Sequence, residues 1–197
     1  MNVRLQYDLE FLAGVYYDDC LQLNSYEVSM NLLTKTKDSA STNIAMERLK
    51  AFVHGVLEST VFINQANMER AEFLQLGGCN VTTLPEEPVD QIIGMMLYSK
   101  LDSVMEGRMT VTQLKLSSEL GENVTYFQTD NETIGPFAQK GWWNSAEPSV
   151  SDSKDGGKIV SIKGTTTWQL LGLDWGDKEE EENKGNTVVA FRKDENE

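Results

Sequence analysis

The chain has 197 residues, and its 31 acidic and 17 basic side chains leave a net charge of -14. That balance repels nucleic-acid phosphates and anionic membranes, so the expected partner is a protein with a basic surface, not DNA, RNA or a lipid bilayer. Length fits one domain, or one domain plus a tail, and a hydrophobic fraction of 40% suffices for a core.

Val3, Leu5, Tyr7, Leu9 and Phe11 alternate with polar residues and predict a half-buried strand. Tyr26, Val28, Met30 and Leu32 predict a second, paired antiparallel with the first. Gly14 to Asn24, with Tyr16, Tyr17, Asp18 and Asp19, reads as the connection. A helix follows, capped by Thr42 or Asn43 and burying Ala45, Leu49, Phe52, Val53, Val56 and Leu57. Glu47, Lys50, His54 and Glu58 lie on its exposed side. Thr60 to Ile63 is a short buried strand. Asn64 caps a helix through Met68, Ala71 and Leu74 that closes at Gly77-Gly78, and Asn80 to Leu84 is extended.

The clearest helix comes next, within Leu84 to Met109. Pro88 suits its first position, and Glu86, Glu87 and Asp90 complement its dipole. Val89, Ile92, Ile93, Met96, Leu97, Leu101, Val104 and Met105 form its apolar stripe, and Gly107 suits the C-terminal cap. Met95 and Tyr98 lie off the stripe, so the helix is expected at the centre of the fold. Met109 to Ser118 and Asn123 to Thr129 form a hairpin. The apolar phase slips between Val111 and Leu114, the mark of a bulge.

Composition changes near Gly135-Pro136, which divides a core domain, residues 1–135, from an acidic, Trp- and Gly-containing region, residues 136–197. In that region Ile159 to Ile162, Thr166 to Leu170 and Thr187 to Phe191 read as strands. The fold class expected is α+β: a mixed or antiparallel sheet packed by about three helices. The segment from Leu170 onward carries a net five of the fourteen negative charges.

No catalytic signature emerges. His54 is the only histidine, which excludes two-histidine zinc motifs and weakens any Ser–His or Cys–His reading. Cys20 and Cys79 could pair but read as free thiols, and Cys20, which follows two aspartates, reads as inert. Asp18-Asp19, Glu86-Glu87 with Asp90, and Glu179 to Glu182 offer hard oxygen ligands, but none has EF-hand spacing, and no phosphate-cradling or dinucleotide loop occurs. No metal and no cofactor is therefore expected. The adjacent Trp142-Trp143 read as core packing, as a partner anchor or as a stacking surface for a small ligand, and Glu179, Glu180, Glu181 and Glu182 as an electrostatic guide for a partner. The first residues form no apolar leader, and no apolar run is long enough to span a membrane.

Two stretches carry a resemblance: Thr82-Thr83-Leu84-Pro85-Glu86-Glu87-Pro88-Val89-Asp90-Gln91-Ile92-Ile93-Gly94-Met95-Met96-Leu97-Tyr98, and Gly135-Pro136-Phe137 followed by Gly141-Trp142-Trp143-Asn144. They resemble small acidic accessory proteins of T4-like tailed bacteriophages, over the first three quarters of the chain. The resemblance implies a viral protein made in the cytoplasm of a bacterial host, in a group that includes regulators of host enzymes and modulators of capsid assembly, such as an inhibitor of the prohead protease. It assigns no site residue. The expectation is a non-catalytic protein that regulates or inhibits a host or phage protein by binding it. The rival readings are a carboxylate- and metal-dependent hydrolase or nuclease, and a structural virion component. Oligomeric state is not fixed by the sequence.

Overall fold

The computed structural model describes residues 3–121, 123–127, 135–150 and 167–175. Its fold is α+β: a six-stranded mixed sheet with three α-helices. The strands are β1 (Arg4–Tyr17), β2 (Cys20–Thr34), β3 (Thr60–Asn64), β4 (Asn80–Leu84), β5 (Met109–Ser118) and β6 (Val124–Phe127). The helices are α1 (Ser39–Phe52), α2 (Met68–Leu76) and α3 (Asp90–Val104). Sheet order is β4-β3-β1-β2-β5-β6. β1 runs antiparallel to β2 and parallel to β3; β3 and β4 are parallel, whereas β5 is antiparallel to both β2 and β6.

The first hairpin is longer than the alternation suggested. β1 pairs with β2 without interruption from Arg4↔Leu33 to Tyr17↔Cys20, so the connection is Asp18-Asp19 alone. Both aspartates have positive φ, 49° and 58°. A two-residue hairpin turn of that hand needs two left-handed residues, a conformation aspartate tolerates better than most. The expected bulge is present: Asn31 faces Gln113 and Leu32 faces Val111, leaving Thr112 as the extra residue.

The helices differ from expectation mainly at their ends. Asp38 caps α1, not Thr42 or Asn43, its carboxylate accepting the Ala40 and Ser41 amides. The Ser41 hydroxyl, which also donates to Asp38, and then these two amides hold the Asp38 carboxyl below its ordinary range. Val53–Leu57 continues α1 as a π-helical turn. α3 begins at Asp90 with Val89 as its cap, so Pro88 lies outside the helix and Val89 stays exposed rather than on the buried stripe. Gly107, with φ of 72°, follows the helix end as expected.

One face of the sheet is closed. Leu9, Phe11, Ala13, Tyr26, Val28, Met30, Leu32, Val111, Leu114 and Leu116 pack there against α1 and α3, with Ile93 and Leu97 fully buried between them. The compositional boundary at Gly135 does not interrupt this core, since Phe137, Trp142, Trp143 and Trp168 belong to it. The described part of the Thr166–Leu170 prediction is a turn rather than a strand, while Ile159–Ile162 and Thr187–Phe191 lie outside the described residues. The opposite face is covered in part by α2, which packs Ala71 and Leu74 on Tyr16, Val61 and Ile63.

Candidate functional site

Trp142 and Trp143 are not surface anchors. They are 2% and 5% exposed, on a 3-10 turn (Trp142–Asn144) laid against α3. Trp142 Nε1 donates to the Thr83 carbonyl at 3.2 Å; Trp143 Nε1 donates to the carbonyls of Phe137 at 3.1 Å and Gln139 at 3.0 Å. Each indole N–H thus has an acceptor inside the protein, and each ring has an apolar seat, so burial costs little. The Trp143 ring also fills the space that a side chain at position 141 would need, which explains Gly141. Glu179, Glu180, Glu181 and Glu182 lie outside the described residues.

Two buried cations tie the segments beyond Gly135 to the core. Lys100, on α3, has no exposed surface; its Nζ donates to the carbonyls of Trp142 at 2.7 Å, Ser145 at 2.8 Å and Glu147 at 2.7 Å. Arg48, on α1, is 1% exposed. Its Nε donates to the Leu173 carbonyl at 2.7 Å, and one terminal nitrogen lies 2.6 Å from Glu106 Oε1. The guanidinium sits 3.9 Å from the centre of the Trp175 ring and 4.9 Å from that of Trp168. Buried charge with this much compensation holds a segment in one place. Both residues lie where chain pattern predicts apolar contact, and nothing local marks them as buried cations.

Among the described residues the carboxylates do not come together. Asp18 and Asp19 form the hairpin tip. Glu87 accepts the Asn64 side-chain amide at 2.8 Å. Asp90 is buried and receives the Ser118 hydroxyl at 3.0 and 2.9 Å on its two oxygens. Its role therefore exceeds the helix dipole: it fastens the start of α3 to the end of β5. No group of three or more metal-ligating side chains exists among the described residues. His54 is exposed and within 3.3 Å of Glu58.

What the structure does assemble is an apolar surface at the far end of the first hairpin. Register places Leu12 opposite Ser25, Gly14 opposite Leu23 and Tyr16 opposite Leu21. Cross-strand partners share a face, so Leu12, Leu21 and Leu23 lie together on the face opposite the main core. They are 47%, 51% and 70% exposed. On the same face α2 adds the exposed Phe73 and Leu76. Acids border the leucines: Asp18 and Asp19 beyond one end, Glu10 and Glu27 beyond the other. Local pattern hides this surface, because Gly14 to Asn24 has the look of a loop. The signal was present, since Leu12 breaks the phase of Leu9, Phe11 and Ala13, and Leu21 and Leu23 are two residues apart.

No family model matches the chain, and no curated protein does. Solved structures do resemble it. An uncharacterised protein from Wolinella succinogenes has 13% identity and a TM-score of 0.47, covering 66% of this chain and 99% of its own. The 6-pyruvoyltetrahydropterin synthase of Plasmodium vivax has 11% identity and a TM-score of 0.44, with 65% and 98% covered. That of Plasmodium falciparum has 13% identity and a TM-score of 0.40, with 64% and 99% covered. The likeness is one of chain path, and no residue role passes through it.

Proposed function

We propose that this chain is a non-catalytic binding protein that regulates or inhibits another protein by docking on it. The observation that supports this is the exposed Leu12, Leu21 and Leu23 on one sheet face, within an acidic border. Contiguous apolar surface on an otherwise soluble fold is the usual signature of a contact site. The fitting partner has an apolar patch with a basic rim: leucines supply the desolvated centre, and the net charge of -14 speeds encounter. The resemblance to accessory proteins of T4-like phages suggests one setting, control of a host enzyme or of capsid assembly.

The test is affinity capture from bacterial lysate, infected and uninfected, with mass spectrometry. Wild type is run beside a Leu21→Ser/Leu23→Ser variant whose fold is verified by circular dichroism and thermal melt. The reading expects at least one basic protein captured by wild type and lost, by tenfold or more, with the folded variant. Identical captures by both would end it.

A further inference from the structure

β1 has a second feature that the docking surface does not use: an edge left unpaired by the described residues. β3 meets β1 only at Gly14 and Val15. Below that, among the described residues, no strand pairs with the side of β1 away from β2. The orientation of the free groups follows from two bonds. The Thr34 amide donates to the Val3 carbonyl, so odd residues of β1 direct their backbone groups at β2. The Ser59 amide donates to the Leu12 carbonyl, so even residues direct theirs outward. Arg4, Gln6, Asp8 and Glu10, all exposed, therefore present four N–H and four C=O groups on one straight edge without proline or bulge. Such an edge is a template for another strand.

We propose that a second copy of this chain supplies that strand, as an antiparallel β1–β1 pair about a two-fold axis at Tyr7. A two-fold contact is self-complementary, residue i of one copy meeting residue j of the other and j meeting i, and an axis perpendicular to the strands makes them antiparallel. In this register Arg4 faces Glu10 of the other copy, Gln6 faces Asp8, Leu5 faces Leu9, and Tyr7 faces Tyr7. All outward-directed residues pair with outward-directed residues, giving eight backbone hydrogen bonds. Each of the two arginines meets a carboxylate, and no like charges oppose one another. Shifting the axis to Asp8 would set Asp8 against Asp8; shifting it to Gln6 would face Arg4 with Asp8, drop Glu10 from the set of outward pairs with its two hydrogen bonds, and leave the Glu10–Glu27 repulsion without an arginine.

A second observation favours the same register. Within one copy Glu10 lies directly opposite Glu27, a like-charge pair that weakens a sheet. Lys115 is displaced from this pair by one position on its face, opposite Ser29. Arg4, which has no ion-pair partner among the described residues, would stand on the free side of Glu10 in the dimer and offset that repulsion.

Sedimentation equilibrium over about 1–100 μM tests the proposal, with the whole chain at moderate salt to screen the repulsion between two acidic copies. Wild type should associate to a dimer. Arg4→Glu should weaken the dimer about tenfold or more, through two lost ion pairs and two new like-charge pairs. Adding Glu10→Arg to Arg4→Glu reverses the pairs and should restore it. Register is read with Tyr7→Cys in a Cys20→Ser/Cys79→Ser background, which should oxidise to a covalent dimer. A monomer throughout the range would overturn the proposal, including one in which another part of the same chain covers the edge and protects the Gln6, Asp8 and Glu10 amides from hydrogen exchange. A dimer indifferent to Arg4→Glu would overturn it too, by placing the contact elsewhere.

Discussion

Replacing Lys100 by methionine keeps most of the side chain's length and removes its charge. Three carbonyls, those of Trp142, Ser145 and Glu147, then lose a donor at 2.7–2.8 Å. The Trp142 carbonyl bond is buried, and leaving it unsatisfied costs about 1–3 kcal/mol. The other two are partly buried, so water can replace the ammonium there, at about 1 kcal/mol each. The loss of the ammonium's contact with the Phe52 and Trp142 rings, at 5.4 and 5.6 Å, adds to this. Against these stands relief from burying a charge, which is several kcal/mol in general but already largely met here by three acceptors. The expected net loss is about 2–4 kcal/mol. Urea melts followed by tryptophan fluorescence measure it, and hydrogen exchange locates it, with the largest gain in exchange at residues 142–147. A loss below about 1 kcal/mol, or exchange rising uniformly across the sheet, would refute the view that Lys100 pins this segment.

Leu97→Ala removes a fully buried leucine between α3 and the sheet and should cost about 2–5 kcal/mol in denaturant melts; below about 1 kcal/mol, α3 is not central. Burial, reinforced by Asp102, pushes the Tyr98 hydroxyl up to about 12. The folded state then holds its proton where the unfolded chain, titrating near 10, has lost it. Stability should therefore fall between pH 10 and 12, and Tyr98→Phe should flatten that fall; unchanged alkaline melts would contradict the assignment. Asp102 is also raised, by burial first, with the Val111 amide and Lys35 acting against it. Its penalty is full at neutral pH and disappears as pH falls through the raised value, so any gain of Asp102→Asn over wild type should shrink on acidification. A gain that grows with acid would reverse the sign of that argument. Tyr26 is fully buried, and its hydroxyl makes no hydrogen bond of good geometry among the described residues beyond its approach to Asn24, so Tyr26→Phe should leave stability within about 1 kcal/mol of wild type or raise it.

The elements that were legible in the sequence are those whose period is clean. Val3 to Phe11 and Tyr26 to Leu32 alternate strictly because one sheet face is closed and the other is open. α3 was legible because its stripe is broad and its end is marked by Gly107. The bulge was legible because an inserted residue shifts the apolar phase, and Thr112 is that residue. What escaped depends on long-range contact. Lys100 falls on the stripe with Ile93, Met96, Leu97 and Val104, and a lysine there signals a buried cation only once its acceptors, more than 40 residues away in sequence, are known. Arg48 likewise finds Leu173 from 125 residues away. The tryptophans misled for a related reason: the polar, Gly-rich composition after Gly135 suggests poor burial, but their seats are built by α3, Phe137 and the Thr83 backbone rather than by their own neighbourhood. Asp18-Asp19 was read as part of a long loop because turn chemistry alone does not show that the flanking Tyr16, Tyr17, Leu21 and Leu23 stay in register.

The two faces of the sheet separate stability from recognition. On the closed face, charge is spent on fixing segments: Arg48 and Lys100 give up hydration to hold carbonyls and rings in place. Changes there act through folding and leave no surface altered. On the open face, Leu12, Leu21 and Leu23 gain little from the monomer, since roughly half or more of each is still in contact with water. Replacing them with serine removes apolar area that folding never used, so the monomer loses little, or even gains in solubility. The same holds for the Glu10–Glu27 pair, which the isolated sheet would be better without. Residues that cost the monomer something, or return nothing to it, are best accounted for by a second surface. The leucines call for an apolar one, and the glutamates for one carrying an arginine.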